Sequence, residues 1–213
     1  MRLLVLALSA IAIQAEIVDR IALSVGNQVI TEGQILEEIR VTAFLNHKEP
    51  DLGAEQRKQA AERLLEQTLF KRDMEFSHFA TPDLAQAEKM EDPVVKWYAS
   101  PEQFQEDLKR RGITQEELRR HLWWQLTMLS YIEYRFRPAI QISEADIKQY
   151  YDKKSADWQR QGLAQIPGLA ESHDEIETIL AQERVDQAVD RWLGDARTQI
   201  PIIYRKQAQE PAQ

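Results

Sequence analysis

The sequence predicts a mainly α protein, a multi-helix body with a small β-sheet formed by an N-terminal hairpin and a C-terminal strand. Three observations lead there. Helix-start signals of the S/T-x-x-E/Q kind recur along the chain, at Thr31/Gln34, Ser100/Gln103, Thr114/Glu117 and Ser172/Glu175, with a near-match at Ser143/Asp146. One clear strand–turn–strand pattern occurs, near the start. One short β-branched segment, Ile200-Pro201-Ile202-Ile203-Tyr204, stands near the far end. A lone two-stranded hairpin is marginal in water, so the hairpin needs a third partner, and this segment is the best one available.

The first element is read as a leader. Arg2 supplies a positive start, an apolar run extends from Leu3 to Ile13, and small Ala15 follows at a cleavage-like position. The run is shorter than the roughly 20 residues of a membrane-spanning helix. Residues 1–15 are therefore expected to be removed as a signal peptide, which sends the rest of the chain, 16–205 with a frayed tail at 206–213, out of the cytosol. The chain has no cysteine, which excludes disulfides and thiol chemistry there. No other apolar run approaches spanning length, so stable membrane insertion is not expected.

The hairpin follows. Ile21, Leu23 and Val25 alternate onto one face, Gly26-Asn27 is a two-residue turn signal, and Gln28 to Thr31 returns. Pro201 confines the last segment to a sheet edge or a strand start. Between them the patterns give helices over 32–46, 54–78, 82–98, 101–111, 115–137, 144–160 and 172–199. Thr81-Pro82 and Ser100-Pro101 place proline at a first helical position, where its missing N–H costs nothing, and Gly112 reads as a stop. In 115–137, Leu118, Leu122, Leu126, Leu129, Ile132 and Phe136 form an apolar stripe, while Trp123, Trp124, Met128, Tyr131 and Tyr134 fall outside it. Such a helix is either central in the body or carries a second face for a partner. The last helix has Ile176, Ile179 and Leu180 on one side, then Val185, Val189, Trp192 and Ala196 on roughly the other. It is expected to pack against two partners along its length. Residues 161–171, with two Gly and one Pro, form a linker.

Chemistry is sparse in the sequence. The formal charge of −8 disfavours nucleic acid, whose phosphates call for clustered Lys and Arg. His47, His78, His121 and His173 stand at no recognised metal-binding spacing, and no nucleophile, dinucleotide or phosphate-loop motif occurs. Glu37-Glu38, Glu75 and Glu116-Glu117 read as solvated helix faces. The basic runs Lys109-Arg110-Arg111 and Arg119-Arg120 read as compensation of helix dipoles. Neither a cofactor nor a metal is expected, and the reading favours a binding protein.

Val18-Asp19-Arg20-Ile21-Ala22-Leu23-Ser24-Val25-Gly26-Asn27-Gln28-Val29-Ile30-Thr31 resembles the opening strand–turn–strand of SurA-like periplasmic chaperones. Ile113-Thr114-Gln115-Glu116-Glu117-Leu118-Arg119, and Ile142-Ser143-Glu144-Ala145-Asp146-Ile147 through Tyr150-Tyr151, resemble the openings of two later helices of that family, and residues 175–205 resemble its closing helix and strand. Two departures stand out. Only residues 153–171 occupy the place where the family inserts parvulin-type prolyl isomerase domains, and residues 81–111 have no clear counterpart.

The resemblance implies a chaperone core without isomerase activity, working in the periplasm as a holdase for unfolded, aromatic-rich chains such as nascent outer-membrane proteins. Burial of apolar side chains supplies the binding energy, and the residues expected to line the peptide-binding groove are Trp97, Tyr98, Phe104, Trp123, Trp124, Met128 and Tyr131. The alternative is a structural or assembly subunit of the envelope with one dedicated partner, or a homodimer made by exchanging terminal elements. An enzyme, most obviously a prolyl isomerase, is disfavoured by the missing domain.

Overall fold

In the computed structural model, residues 19–160, 165 and 167–205 are described. The leader at 1–15, the tail at 206–213 and part of the 161–171 linker lie outside them. Among the described residues no helix is long and apolar enough to cross a membrane.

The two ends of the chain meet in one antiparallel sheet. Strands β1 (Ile21–Val25) and β2 (Gln28–Thr31) form the hairpin, β3 (Ile202–Tyr204) pairs with the other side of β1, and the order is β2-β1-β3. Gly26 takes φ +60° in the turn, and a Cβ there would come within 2.7 Å of the Arg72 guanidinium. That same guanidinium donates to the Asn27 side-chain carbonyl at 3.1 Å, which fastens the turn to the helix behind it. Just before β3 begins, the Pro201 carbonyl accepts from the Gly26 amide at 2.8 Å. Leu23 and Val25 are buried as their alternation predicts, but Ile21 is exposed. The pairing register shifts between Ile21 and Leu23, and this irregularity takes Ile21 out of the alternating set.

Among the described residues seven α-helices follow the hairpin: α1 (Glu32–Leu45), α2 (Ala54–Ser77), α3 (Leu84–Val95), α4 (Pro101–Arg110), α5 (Gln115–Arg135), α6 (Glu144–Arg160) and α7 (Leu169–Gln199). Thr31 and Thr114 form reciprocal capping boxes with Gln34 and Glu117. Ser100 accepts from the Gln103 amide, and Gly112 takes φ +65° just past α4. Two starts differ from expectation. Asp83 caps α3, not Thr81, because its carboxylate reaches the Ala85 amide. Helix α7 begins at Leu169, where the Glu171 side chain accepts from the Gly168 amide at 3.0 Å. Ser172 is therefore a buried residue within α7 and not its cap, and the linker is shorter than expected.

Three apolar clusters form the core. The inner sheet face, with Leu23, Val25 and Ile30, packs on Ile35 and Ile39 of α1, Leu65 and Leu69 of α2, and Ala196 of α7. Phe44 of α1 gathers Val94, Phe104, Leu108, Leu118 and Leu122 from α3, α4 and the start of α5. Phe70 and Met74 of α2 meet Trp124 and Tyr131 of α5, Phe136, and Val185 of α7. Helix α5 thus changes sides: Leu118 and Leu122 face the second cluster, then Trp124, Thr127 and Tyr131 face the third. It is the central helix, and its sequence stripe does not hold throughout, since Leu129 is 63% exposed. Helix α7 also changes partners. Its first turns bury Ser172 and Ile176 beside α6, and its later turns reach α2 and the sheet.

Three tyrosine–carboxylate hydrogen bonds, each 2.6 Å long, tie these parts together. Tyr98 donates to Asp107, Tyr131 on α5 to Asp73 on α2, and Tyr204 on β3 to Glu62 on α2. Burial and then the accepting carboxylate push all three phenols up to about 12. A pKa raised on folding gives stability that is complete below the unfolded value near 10 and is lost as pH rises through the folded value. Unfolding monitored by circular dichroism should therefore show stability falling between about pH 10 and 12. Tyr131→Phe should flatten that fall and cost about 1.5–3 kcal/mol at neutral pH, the usual worth of a hydrogen bond to a charged group.

Candidate functional site

Helix α1 crosses α2 and α5 near the middle of the body, and the three helices leave a cleft of about 270 Å³ between them. The floor is polar. Glu38 of α1 sits on the same helical face as Ile35, Ile39 and Thr42, and is only 6% exposed. Its carboxylate accepts from Arg63 Nε of α2 at 2.9 Å and from the Thr42 hydroxyl at 3.2 Å, and lies 3.4 Å from His121 Nδ1 of α5. Burial pushes the Glu38 pKa upward. The hydrogen bond and charge of His121, followed by those of Arg63, more than offset this and hold it down at about 2.

The walls are aromatic and cationic. Trp123 and Trp124 come from α5, with Val41 of α1 and Leu64 of α2. The Trp123 indole N–H donates to the Pro82 carbonyl at 2.9 Å. Trp124 is 7% exposed, and its Nε1 is buried without an acceptor. An unpartnered buried donor of this kind costs about 1–3 kcal/mol. The Lys71 ammonium lies 4.8 Å from the centre of the Trp124 ring. Desolvation, and then the nearby Arg120 guanidinium, lower its pKa. Arg120 itself donates to Glu37 at 2.7 Å. The two ring nitrogens of His121 face Glu38 and Gln125. The set suits binding better than bond-making.

The seven residues predicted for a groove do not form one. Tyr98 and Phe104 belong with Phe44 to the second cluster, with Trp97 at its edge, whereas Trp123, Trp124, Met128 and Tyr131 belong to the third. Phe104 and Tyr131 are core residues with no surface to offer a ligand, because α1 closes over the first and α2 over the second. Tyr98 is partly buried, stacked on Phe44 with its hydroxyl on Asp107. Trp97 is exposed, Met128 is half-buried, and Trp123 and Trp124 line the cleft. An open depression on α4, lined by Tyr98, Gln103, Glu106, Asp107 and Arg110, is occupied by its own ion pair between Asp107 and Arg110.

The cleft's polar residues escaped the sequence reading. Glu38 is buried, not part of a solvated face; its position between Ile35, Ile39 and Thr42 at helical spacing was the available signal. Arg120 and His121 carry no such signal, since their partners lie far away in sequence. The basic runs are ion-paired rather than simply placed at helix ends: Arg111 reaches Asp107 and Glu49, and Arg119 reaches the buried Glu91. One spacing was also overlooked. His173, Asp174 and Glu177 bring ligand-type atoms within 4.8 Å of one another on the surface of α7, though both His173 nitrogens already face carboxylates, those of Asp174 and Glu144.

No protein-family model matches the chain, and no curated protein matches it. The site must therefore be read from its own chemistry.

A carboxyl whose pKa falls on folding gives stability that is present above the unfolded value and lost as pH falls through the folded one. For Glu38 that window runs from the ordinary 4.5 down to about 2. Urea unfolding across it should show wild-type stability declining with acid. Glu38→Gln should be less stable at pH 7 and show a shallower decline.

Proposed function

We propose that this protein is a periplasmic holdase that shields unfolded polypeptides, nascent outer-membrane proteins among them, without isomerase activity. One observation supports this reading most. The fold leaves large apolar side chains in solvent around one end of α2 and α5: Phe76 is 85% exposed and Tyr134 57%. Phe79, just past α2, packs on Tyr131 and Tyr134 with ring centres 5.0 and 5.2 Å away. Isolated exposed apolar residues are ordinary, but an aromatic group at adjoining helix ends is what a non-specific chain-binding surface needs. Flat rings offer area at small entropic cost and tolerate varied partners. The predicted leader and the chaperone-like order of hairpin, helices and returning strand point the same way.

The binding surface in this proposal differs from the groove expected from sequence. It is Phe76, Phe79 and Tyr134, with Leu129 exposed on another side of α5, instead of Phe104 and Tyr131. A second reading, a dedicated assembly contact, draws on the outer face of the sheet. There Val29 and Ile203 flank Ser24 in one cross-strand row and both are exposed.

Dilution of an urea-unfolded outer-membrane barrel into buffer, followed by light scattering, tests the proposal. Near-stoichiometric protein should suppress aggregation, and Phe76→Ser with Tyr134→Ser should remove most of the protection while leaving the far-ultraviolet spectrum unchanged. Full protection by that double variant would contradict the assignment of the surface. Absence of protection by the wild type, with a stable dimer lost on Ile203→Lys, would favour the assembly reading.

A further inference from the structure

The sheet ends in a strand with one open side, and the register shows which of its groups are free. Ile203 faces Ser24; to either side, the Gly26 amide donates to the Pro201 carbonyl and the Arg205 amide to the Ala22 carbonyl, both at 2.8 Å. Residues 201, 203 and 205 thus turn their backbone groups toward β1. In an antiparallel ladder the alternate residues turn theirs away. The N–H and C=O of Ile202 and Tyr204 therefore point off the sheet, and no hydrogen bond from another described residue reaches them. The opposite edge offers less. Only Val29 of β2 turns its groups outward, because Gln28 and Ile30 face Val25 and Leu23 across the ladder and the Thr31 amide donates to the Gln34 side chain at 2.9 Å. Open edges are ordinarily guarded by charge, by proline or by a covering loop. Pro201 bounds β3 on one side, but β3 itself carries no charged residue, and its Ile203 and Tyr204 are 53% and 55% exposed.

We infer that the free edge of β3 takes up an extended, alternately apolar segment of another polypeptide as a fourth strand. The groups of Ile202 and Tyr204 supply main-chain hydrogen bonds, which recognise an extended backbone and leave its sequence largely unread. An apolar side chain of the added strand lies beside Ile203 on the outer face, in the kind of cross-strand pair that stabilises a sheet. A second copy of the protein suits the edge less well. The three residues of β3 give about 10 Å of edge, whereas a stable dimer buries about 800 Å² on each partner. The contact is therefore weak and tolerant of sequence. It lies where Tyr204 meets Glu62, and about 21 Å of α2 separates Glu62 from Phe76. The inference does not depend on the Phe76 surface.

Amide-resolved nuclear magnetic resonance of the whole protein tests it with two probes of equal charge. One is a short peptide alternating valine and threonine between terminal lysines; the other is the same peptide N-methylated at every central amide, which leaves no N–H to extend a ladder. In the free protein the Ile202 and Tyr204 amides should exchange quickly and the Ile203 amide slowly. At millimolar concentration the first peptide should slow exchange at Ile202 and Tyr204 and shift their signals, and the second should do neither. Ile203→Lys should weaken binding about fivefold. Val29→Lys, the matching change on the opposite edge, should leave it unchanged. Both side chains are exposed, so both variants keep the core intact. Equal responses to the two peptides, protection at Val29 instead of Ile202 and Tyr204, unchanged affinity in Ile203→Lys, or no response at millimolar peptide would overturn the inference. Slow exchange of Ile202 and Tyr204 in the free protein would overturn it too: if independent of dilution, it would assign the edge to the chain's own residues 206–213, and if lost on dilution, to a second copy.

Discussion

The buried carboxylate of Glu38 is the constraint on which the middle of the structure depends. Taking an ionised carboxyl out of water costs several kcal/mol even after the surroundings relax, so it persists only where partners converge. Here they come from two other helices, Arg63 of α2 and His121 of α5. The junction sets α1, α2 and α5 at fixed register where an all-apolar contact would tolerate sliding. It also keeps the cleft open, since charged groups that need particular geometry cannot collapse on one another as aliphatic side chains do. Arg63 keeps over a third of its side chain in water, so loss of that one partner costs less than the roughly 3–5 kcal/mol typical of fully buried pairs.

Around this junction the three apolar clusters are arranged by elements that serve more than one of them. Helix α1 contributes Ile35 and Ile39 to the first and Val41 and Phe44 to the second. Helix α5 links the second to the third by changing sides, and α2 links the first to the third. The sheet then locks the ends: β3 adds to β1, Tyr204 binds Glu62, and Arg197 at the end of α7 bridges Glu62 and Glu66 of α2. The chain is closed by contacts between its first and last elements, a costly loop to form and one that couples both termini to α2.

Much of this was legible in the sequence because it is local. Thr31/Gln34, Thr114/Glu117 and Gly112 mark helix ends through contacts within four residues, and Gly26-Asn27 marks the hairpin in the same way. The pairing of β3 with β1 was legible for another reason: a hairpin needs a partner, and few segments qualified. The site was legible only in part. Trp123 and Trp124 line the cleft, but Phe104 and Tyr131 are core, since a helical wheel shows which residues share a face and not which face is covered. Leu129 failed for the same reason: α5 changes neighbours midway, and no periodicity within one helix records that. Glu38, Lys71 and His121 form their site through contacts between helices, which sequence spacing does not encode.

The functional reading follows from this division between rigid centre and exposed ends. A centre fixed by a polar junction leaves the aromatic helix ends exposed, where the proposed holdase function would have them meet unfolded chains without disturbing the fold, and it leaves a cleft between the three helices. The account therefore stands or falls on whether Glu38 couples the three helices. Amide hydrogen exchange on the wild type and on Glu38→Gln at neutral pH tests this most directly. The account predicts that protection drops together in the parts of α1, α2 and α5 that border the cleft, while α6 and the facing turns of α7 keep theirs. A loss confined to the turn of α1 around residue 38, or no loss at all, would contradict it.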